Sequence, residues 1–191
     1  PAIRFADQAI EAGDHPSEAY ATQAIIALRQ QHPDEALTLA QQAIAKDARN
    51  AAAYRIVATV YGDRGDLEGE YQARLGEMKA ASDDEFYTIS VFHFLIDKVG
   101  DYYKALEVAK QLVVATPDNA SALAQVGYFH SLIGEYEQAV DYFNQAIARE
   151  PQNPEFYGKR GLARSLEEQG LTEAAVAAYK NASALAPRAS Q

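Results

Sequence analysis

Reactive side chains in this chain are few and badly spaced for catalysis. The four histidines are His15, His32, His93 and His130. An imidazole does general-base or nucleophilic chemistry only with a hydroxyl, thiol or carboxylate in reach and a further group to orient it. His15 and His32 fall in turns between helices, while His93 and His130 stand one structural period apart with no Ser or Asp at triad spacing. Cysteine is absent, which removes disulfides, thiolate metal sites and Cys nucleophiles together. No phosphate loop, Gly-x-Ser-x-Gly elbow or His-Glu-x-x-His pair occurs. The chain reads as non-catalytic and without a cofactor.

Carboxylates are more abundant. Between residues 63 and 85, Asp63, Asp66, Glu68, Glu70, Glu77, Asp83, Asp84 and Glu85 meet only Arg64, Arg74 and Lys79, so this window holds half of the formal charge of −10. The Asp-x-Asp-x-Asp-Gly spacing of a calcium loop is missing. Two readings stay open: a solvated face at turns and on an outer helix, or a docking patch for a basic partner. Over the whole chain 27 acids outnumber 17 Lys and Arg, which makes nucleic acid a poor partner because duplex affinity comes mostly from cations meeting phosphates.

The frame that positions these residues is helical and periodic. A length of 191 residues with 48% apolar content fits one domain or one repeat array. No apolar run is long enough to span a bilayer, so a soluble protein is expected, cytoplasmic or periplasmic. The chain opens on Pro1 without a charged-then-apolar leader, which reads as a piece of something longer. Ala122-Leu123-Ala124-Gln125-Val126-Gly127-Tyr128 falls on Ala53-Tyr54-Arg55-Ile56-Val57-Ala58-Thr59, and Gly134-Glu135-Tyr136 on Gly65-Asp66-Leu67. Pro33-Asp34-Glu35-Ala36 and Gly170-Leu171-Thr172-Glu173 keep the frame. The spans are 17–50, 51–84, 85–119, 120–153 and 154–187; the third carries one extra residue, and the last fits only with two extra before Gly170.

Each span holds two helices. In the fourth, Asn119 caps the first helix, Leu123, Val126, Gly127 and His130 recur at helical spacing, and Gly134 stops it. A second helix follows with Ala139, Phe143, Ala146 and Ile147 on one face, ending at Pro151. Gly127, Ala139 and Ala146 let two backbones approach closely, while Tyr136 and Phe143 fill the remaining groove. One such pair cannot bury its stripe alone, so neighbours must stack.

Leu123, Val126-Gly127, Gly134, Tyr136, Ala139, Phe143, Ala146 and Pro151 resemble the tetratricopeptide repeat (TPR) pattern at its own spacing. Repeat three carries Gly100, Tyr102, Ala105, Ala109, Leu112 and Pro117; repeat five carries Gly170, Ala175, Tyr179, Ala182 and Pro187. Repeat one is looser, with Ala48 in place of Pro. Repeat two departs most: Glu70 and Arg74 occupy usually small or aromatic positions, and Ser82 replaces Pro. Ala2, Ala6 and Ala9 lie 34 residues before Ala36, Ala40 and Ala43, so 1–16 reads as the second helix of an earlier repeat. Nothing after Pro187 covers helix 172–186, so further chain or a partner, including a second copy, is expected there; 188–191 are a tail.

The resemblance implies an all-α, right-handed superhelix of antiparallel helix pairs, whose first helices line a concave surface. That surface would hold a peptide or helix of a partner, in a scaffold or adaptor region of a larger bacterial protein. Self-association through uncapped terminal helices is the alternative. Family groove positions give Glu18, Ala21, Ile25 and Leu28, then Ala52, Arg55, Thr59 and Gly62, and in repeat four Ser121, Ala124, Tyr128 and Ser131. In repeats three and five the extra residues leave the register open, before or inside the helix. Helix 86–98 is apolar nearly all round, which reads either as a larger core or as Phe94 anchoring a partner with Tyr87 and His93 nearby; either way the centre of the array should be its most apolar part. In repeat five, counting back from Gly170 places Leu162, Ala163 and Leu166 in the core and Tyr157, Arg160 and Arg164 on the concave side. The forward count would bury two arginines at a cost of several kcal/mol. With Arg55, these cations suit an acidic peptide; surface arginines merely solvated are the other reading. The family's chaperone-binding carboxylate clamp is not matched by Ala21, Ile25, Ile56, Phe86 and Ser90, nor by either later set.

Overall fold

A computed structural model describes residues 6, 8, 10, 12–81, 85–158 and 161–185, with 85–87 described by backbone alone. The described residues are helices and short turns, with no strand among them. Helix α1 (Pro16–Arg29) packs on α2 (Pro33–Lys46), and α3 (Ala51–Asp63) on α4 (Leu67–Ala80). Helix α5 (Glu85–His93) runs directly into a π-helical segment, Phe94–Val99. Then come α6 (Tyr102–Ala115), α7 (Ala120–Leu132), α8 (Tyr136–Arg149), the short α9 (Pro154–Tyr157), α10 (Leu162–Glu168) and α11 (Thr172–Leu185). The chain divides into two compact units, 1–99 and 100–191, so the third repeat is shared between them. Ala6 is helical and buried; Ala2 and Ala9 lie outside the described residues.

Local chemistry explains the starts and stops. The Asn50 side chain accepts from the Ala53 amide at 3.0 Å, capping α3, and donates to Ser17 Oγ at 2.8 Å. Ser17 in turn donates to the Ala43 carbonyl, so one cap also ties repeat two to repeat one. Asp66, Asp101 and Asn119 cap α4, α6 and α7 in the same way. Between the helices of each pair the chain turns through the left-handed region, with Gly65, Gly100, Gly134 and Gly170 at φ of 72° to 83°. In repeat one the equivalent residue is Gln31, at φ 62°.

Small residues make the cores. In the first unit Ala24, Ala36, Ala40, Ala43 and Ala53 are fully buried among Ile56, Val57 and Tyr20, so backbones rather than long side chains are in contact. In the second unit a Cβ on Gly127 would sit 3.2 Å from the Ala139 carbonyl and 3.3 Å from the Phe143 ring, which is the close approach expected there. Phe143 and Leu123 are buried, each contributing about 1.5–3 kcal/mol of transfer free energy.

The extra residues are absorbed in two ways. One residue turns a helix by about 100°; in repeat three it is wound into the π segment, so residues up to His93 keep the 34-residue count and Gly100 falls back onto the turn position. Two residues would turn it by about 200°, and the expected continuous first helix of repeat five is instead broken between α9 and α10. Phe156, before the break, is buried in the forward register. Ala163 and Leu166, after it, are buried in the backward one, with Leu162 packed against them. A Cβ on Gly161 would overlap the Phe156 carbonyl, so the break requires glycine.

Candidate protein-binding surface

In the first unit, three first helices present matching positions. Ala21, Arg55 and Ile89 are each 34 residues apart, as are Ile25, Thr59 and His93. Ala21 is buried, whereas Ile25, Arg55, Thr59, Ile89 and His93 are exposed. Arg55 donates from Nε to Glu77 Oε1 at 2.7 Å, and this carboxylate is itself buried. Thr59 donates to the Arg55 carbonyl one turn back, and His93 Nδ1 lies 3.0 Å from Asp97 Oδ2. The exposed strip is thus mixed: two isoleucines, a hydroxyl, an imidazole, and a guanidinium already bonded to a carboxylate.

Phe94 corrects the expectation of an aromatic anchor. It is only 5% exposed, with Val91, Phe92 and Leu95 buried beside it. The reason is the register: with the extra residue placed after His93, groove position nine belongs to His93 and Phe94 turns inward. Helix α5 is also not buried all round, since Ile89, His93 and Asp97 form an exposed stripe. The side chain of Tyr87 lies outside the described residues.

Against Phe94 stands a charged cluster built round one buried carboxylate. Glu70, 3% exposed, accepts from Arg74 at 2.8 Å and 3.1 Å and from Lys98 at 2.5 Å. Arg74 also donates to Ser90 Oγ at 2.8 Å. The Phe94 ring lies 5.3 Å from the Arg74 guanidinium carbon, 5.8 Å from Lys98 Nζ and 6.4 Å from the stacked Tyr71 ring. Burial alone would raise the Glu70 carboxyl, but hydrogen bonds from Lys98 and Arg74 and their charges outweigh it and hold it below the ordinary carboxylate range. The segment expected to be most apolar therefore packs against the densest charge pairing among the described residues of this unit. Sequence reasoning marked Glu70 and Arg74 as departures without finding their partner.

The acidic window largely dissolves into such pairings: Glu70 and Glu77 are buried and bonded, Asp66 caps α4, and Glu68 accepts from Gln72. Asp83, Asp84 and the Glu85 side chain lie outside the described residues.

In the second unit Tyr128 is half-buried, its ring 5.5 Å from Phe129. Tyr157 belongs to α9 and donates to the Pro151 carbonyl at 3.1 Å, so the break separates it from Arg164 on α10. Arg164 is exposed and pairs with Glu167 and Glu168; Arg160 lies outside the described residues. Tyr179 donates to Glu167 at 3.1 Å; burial first, then this carboxylate, raises its hydroxyl above the ordinary range. His130 is buried, 2.6 Å from Glu135 and stacked on Tyr142 at 5.5 Å, a packing role. No three His, Asp or Glu among the described residues gather for a metal, and none of the described helices is long and apolar enough to cross a membrane.

One tetratricopeptide repeat model matches residues 21–75 and 97–154, and a second matches 133–191. The chain belongs to the tetratricopeptide repeat family. TPR proteins generally mediate protein–protein contact and are typically non-catalytic. No curated protein sequence matches the chain. Among solved structures it is similar to YrrB, described as a TPR protein with an unusual peptide-binding site, at 18% identity and a TM-score of 0.62 over 96% of this chain and 93% of that one. It is also similar to MamA 41-end from Desulfovibrio magneticus RS-1, at 16% identity and a TM-score of 0.59 over 88% and 94%. Identities this low carry the fold alone: an all-α TPR superhelix class of stacked helix pairs.

Proposed function

We propose that this TPR chain is a non-catalytic module that takes a peptide or helix of a partner protein along the exposed faces of its first helices, as a scaffold. The observation that supports it is the matched strip in the first unit, Ile25, Arg55, Thr59, Ile89 and His93, repeated at one period on α1, α3 and α5. Neighbouring helices about 8–10 Å apart space such positions to suit side chains of one bound segment. YrrB, similar in fold, is described as carrying a peptide-binding site. The intramolecular bonds of Arg55 and Arg164 shift the expected chemistry: an acidic segment would have to compete with Glu77 or Glu167, so apolar contact with Ile25 and Ile89 leads and charge follows. Photo-cross-linking from a benzoylphenylalanine at Thr59 identifies the bound protein, and Ile25→Glu with Ile89→Glu should abolish its capture while circular dichroism stays unchanged. Capture undiminished in that double variant refutes the reading.

Self-association is the second reading. Leu171, just before α11, and Val176, within it, are 49% and 46% exposed, large apolar residues on the last described helix pair. A sedimentation coefficient that rises with concentration and stops rising in Leu171→Lys with Val176→Lys would support it; a concentration-independent monomer removes it.

A further inference from the structure

A helix with apolar residues on most of its faces defines its own rotation weakly, because more than one face can enter the core. Helix α5 and its π continuation carry Ile89, Val91, Phe92, Phe94, Leu95, Ile96 and Val99. The extra residue of repeat three therefore has two places to go. In the observed register it is wound into Phe94–Val99, Ile89 and His93 face outward and Phe94 is buried. With the residue placed before the helix, α5 turns by about 100°, and Ser90 and Phe94 take the outward positions. π turns are rare beside α turns, so something must favour the first register.

The cluster round buried Glu70 does so. Lys98 sits inside the π segment and reaches Glu70 on α4 at 2.5 Å; Arg74 bonds Ser90 at 2.8 Å and covers Phe94. The Ser90 bond and the cover over Phe94 are made only in the observed rotation, Glu70 and Lys98 hold Arg74's partner in place, and buried polar groups are known to specify register where apolar packing is ambiguous. We propose that the Glu70–Arg74–Lys98 cluster is a register latch, which keeps Phe94 buried and presents Ile89 and His93, and whose release exposes Phe94 as an aromatic anchor on the binding strip. This rests on the strip being the binding face, and it adds a regulation of that face. Among the described residues, the groups facing Glu70 are Arg74 on its own helix, Lys98 on the π segment and, from α3, the uncharged Gly62, where a Cβ would lie 3.0 Å from Oε2. Arg55–Glu77 is a separate pair, and His93–Asp97 lies outward, so neither enters the latch. Because Glu70 is held below the ordinary carboxylate range, the latch is closed at neutral pH. Removing a cation opens it.

The chain has no tryptophan, so Phe94→Trp in the full 191 residues is a single indole reporter that can be excited selectively over the tyrosines. With the latch intact its emission should be blue-shifted and poorly quenched by acrylamide. Adding Lys98→Met should shift it red and raise quenching several-fold, while Lys98→Arg, which keeps the cation, should restore the buried signal; Lys79→Met on exposed α4 surface should change nothing. An unaltered spectrum with Lys98→Met overturns the latch. Should Phe94→Trp fail to fold, hydrogen exchange in Lys98→Met alone decides: amides 95–99 exchanging about tenfold faster, with α1–α3 unchanged, supports it, and unchanged protection overturns it. No partner is needed, so a negative result leaves the binding reading standing on its own test.

Discussion

Replacing Gln31 with glycine tests whether the turn inside each helix pair is governed by backbone strain. Gln31 is exposed at φ 62°, where the other pairs place Gly65, Gly100, Gly134 and Gly170. The His32 amide still reaches the Ala27 carbonyl at 2.9 Å, matching Asp66 to Tyr61 at 3.0 Å and Glu135 to His130 at 2.9 Å. The hydrogen bonding is therefore the same, and only the residue in the left-handed position differs. An L side chain there costs about 1–2 kcal/mol, against roughly 0.5–1 kcal/mol of extra unfolded-state entropy for glycine. The substitution should stabilise by about 0.5–1 kcal/mol, which for a chain of this size raises Tm by about 2–4 °C per kcal/mol. The converse, Gly134→Gln, should lose a similar amount. Urea and thermal unfolding followed by circular dichroism measure both. Destabilisation by Gln31→Gly, or indifference to Gly134→Gln, refutes the strain argument.

Two further outcomes follow from buried polar groups. Ser165 is fully buried and its Oγ has no hydrogen-bond partner among the described residues, so Ser165→Ala should stabilise by about 1 kcal/mol, read as a higher urea midpoint at constant slope. Glu70 is held below its ordinary range, so its stabilisation is complete above the unfolded carboxylate pKa, ordinarily 4.5, and is lost as pH falls through the lowered folded value. Glu70→Gln should therefore flatten the acid limb of the stability–pH profile; an unchanged acid limb would show that Glu70 does not titrate with unfolding.

Much of the strip was legible because TPR register is carried by short-range signals. Asn119, Gly134 and Pro151 act within a turn of their own position, so the 34-residue count placed Arg55 and Thr59 on an exposed face without tertiary information. The count was silent where residues had been added. His93 and Phe94 compete for one position, and no local signal separates them. Likewise Tyr157 and Arg164 share a face only if the helix between them is continuous, and the strain of carrying two added residues is relieved by breaking it.

By itself the sequence determined the helical pairs, their caps, their glycine turns and the repeat family, since each depends on residues within a few positions of one another. Tertiary structure alone decided the rotation of α5, the burial of Phe94 and the partners of Arg55 and Arg74. Those depend on contacts such as Glu70 with Lys98, 28 residues away, which pair a buried carboxylate with a cation that no local pattern picks out.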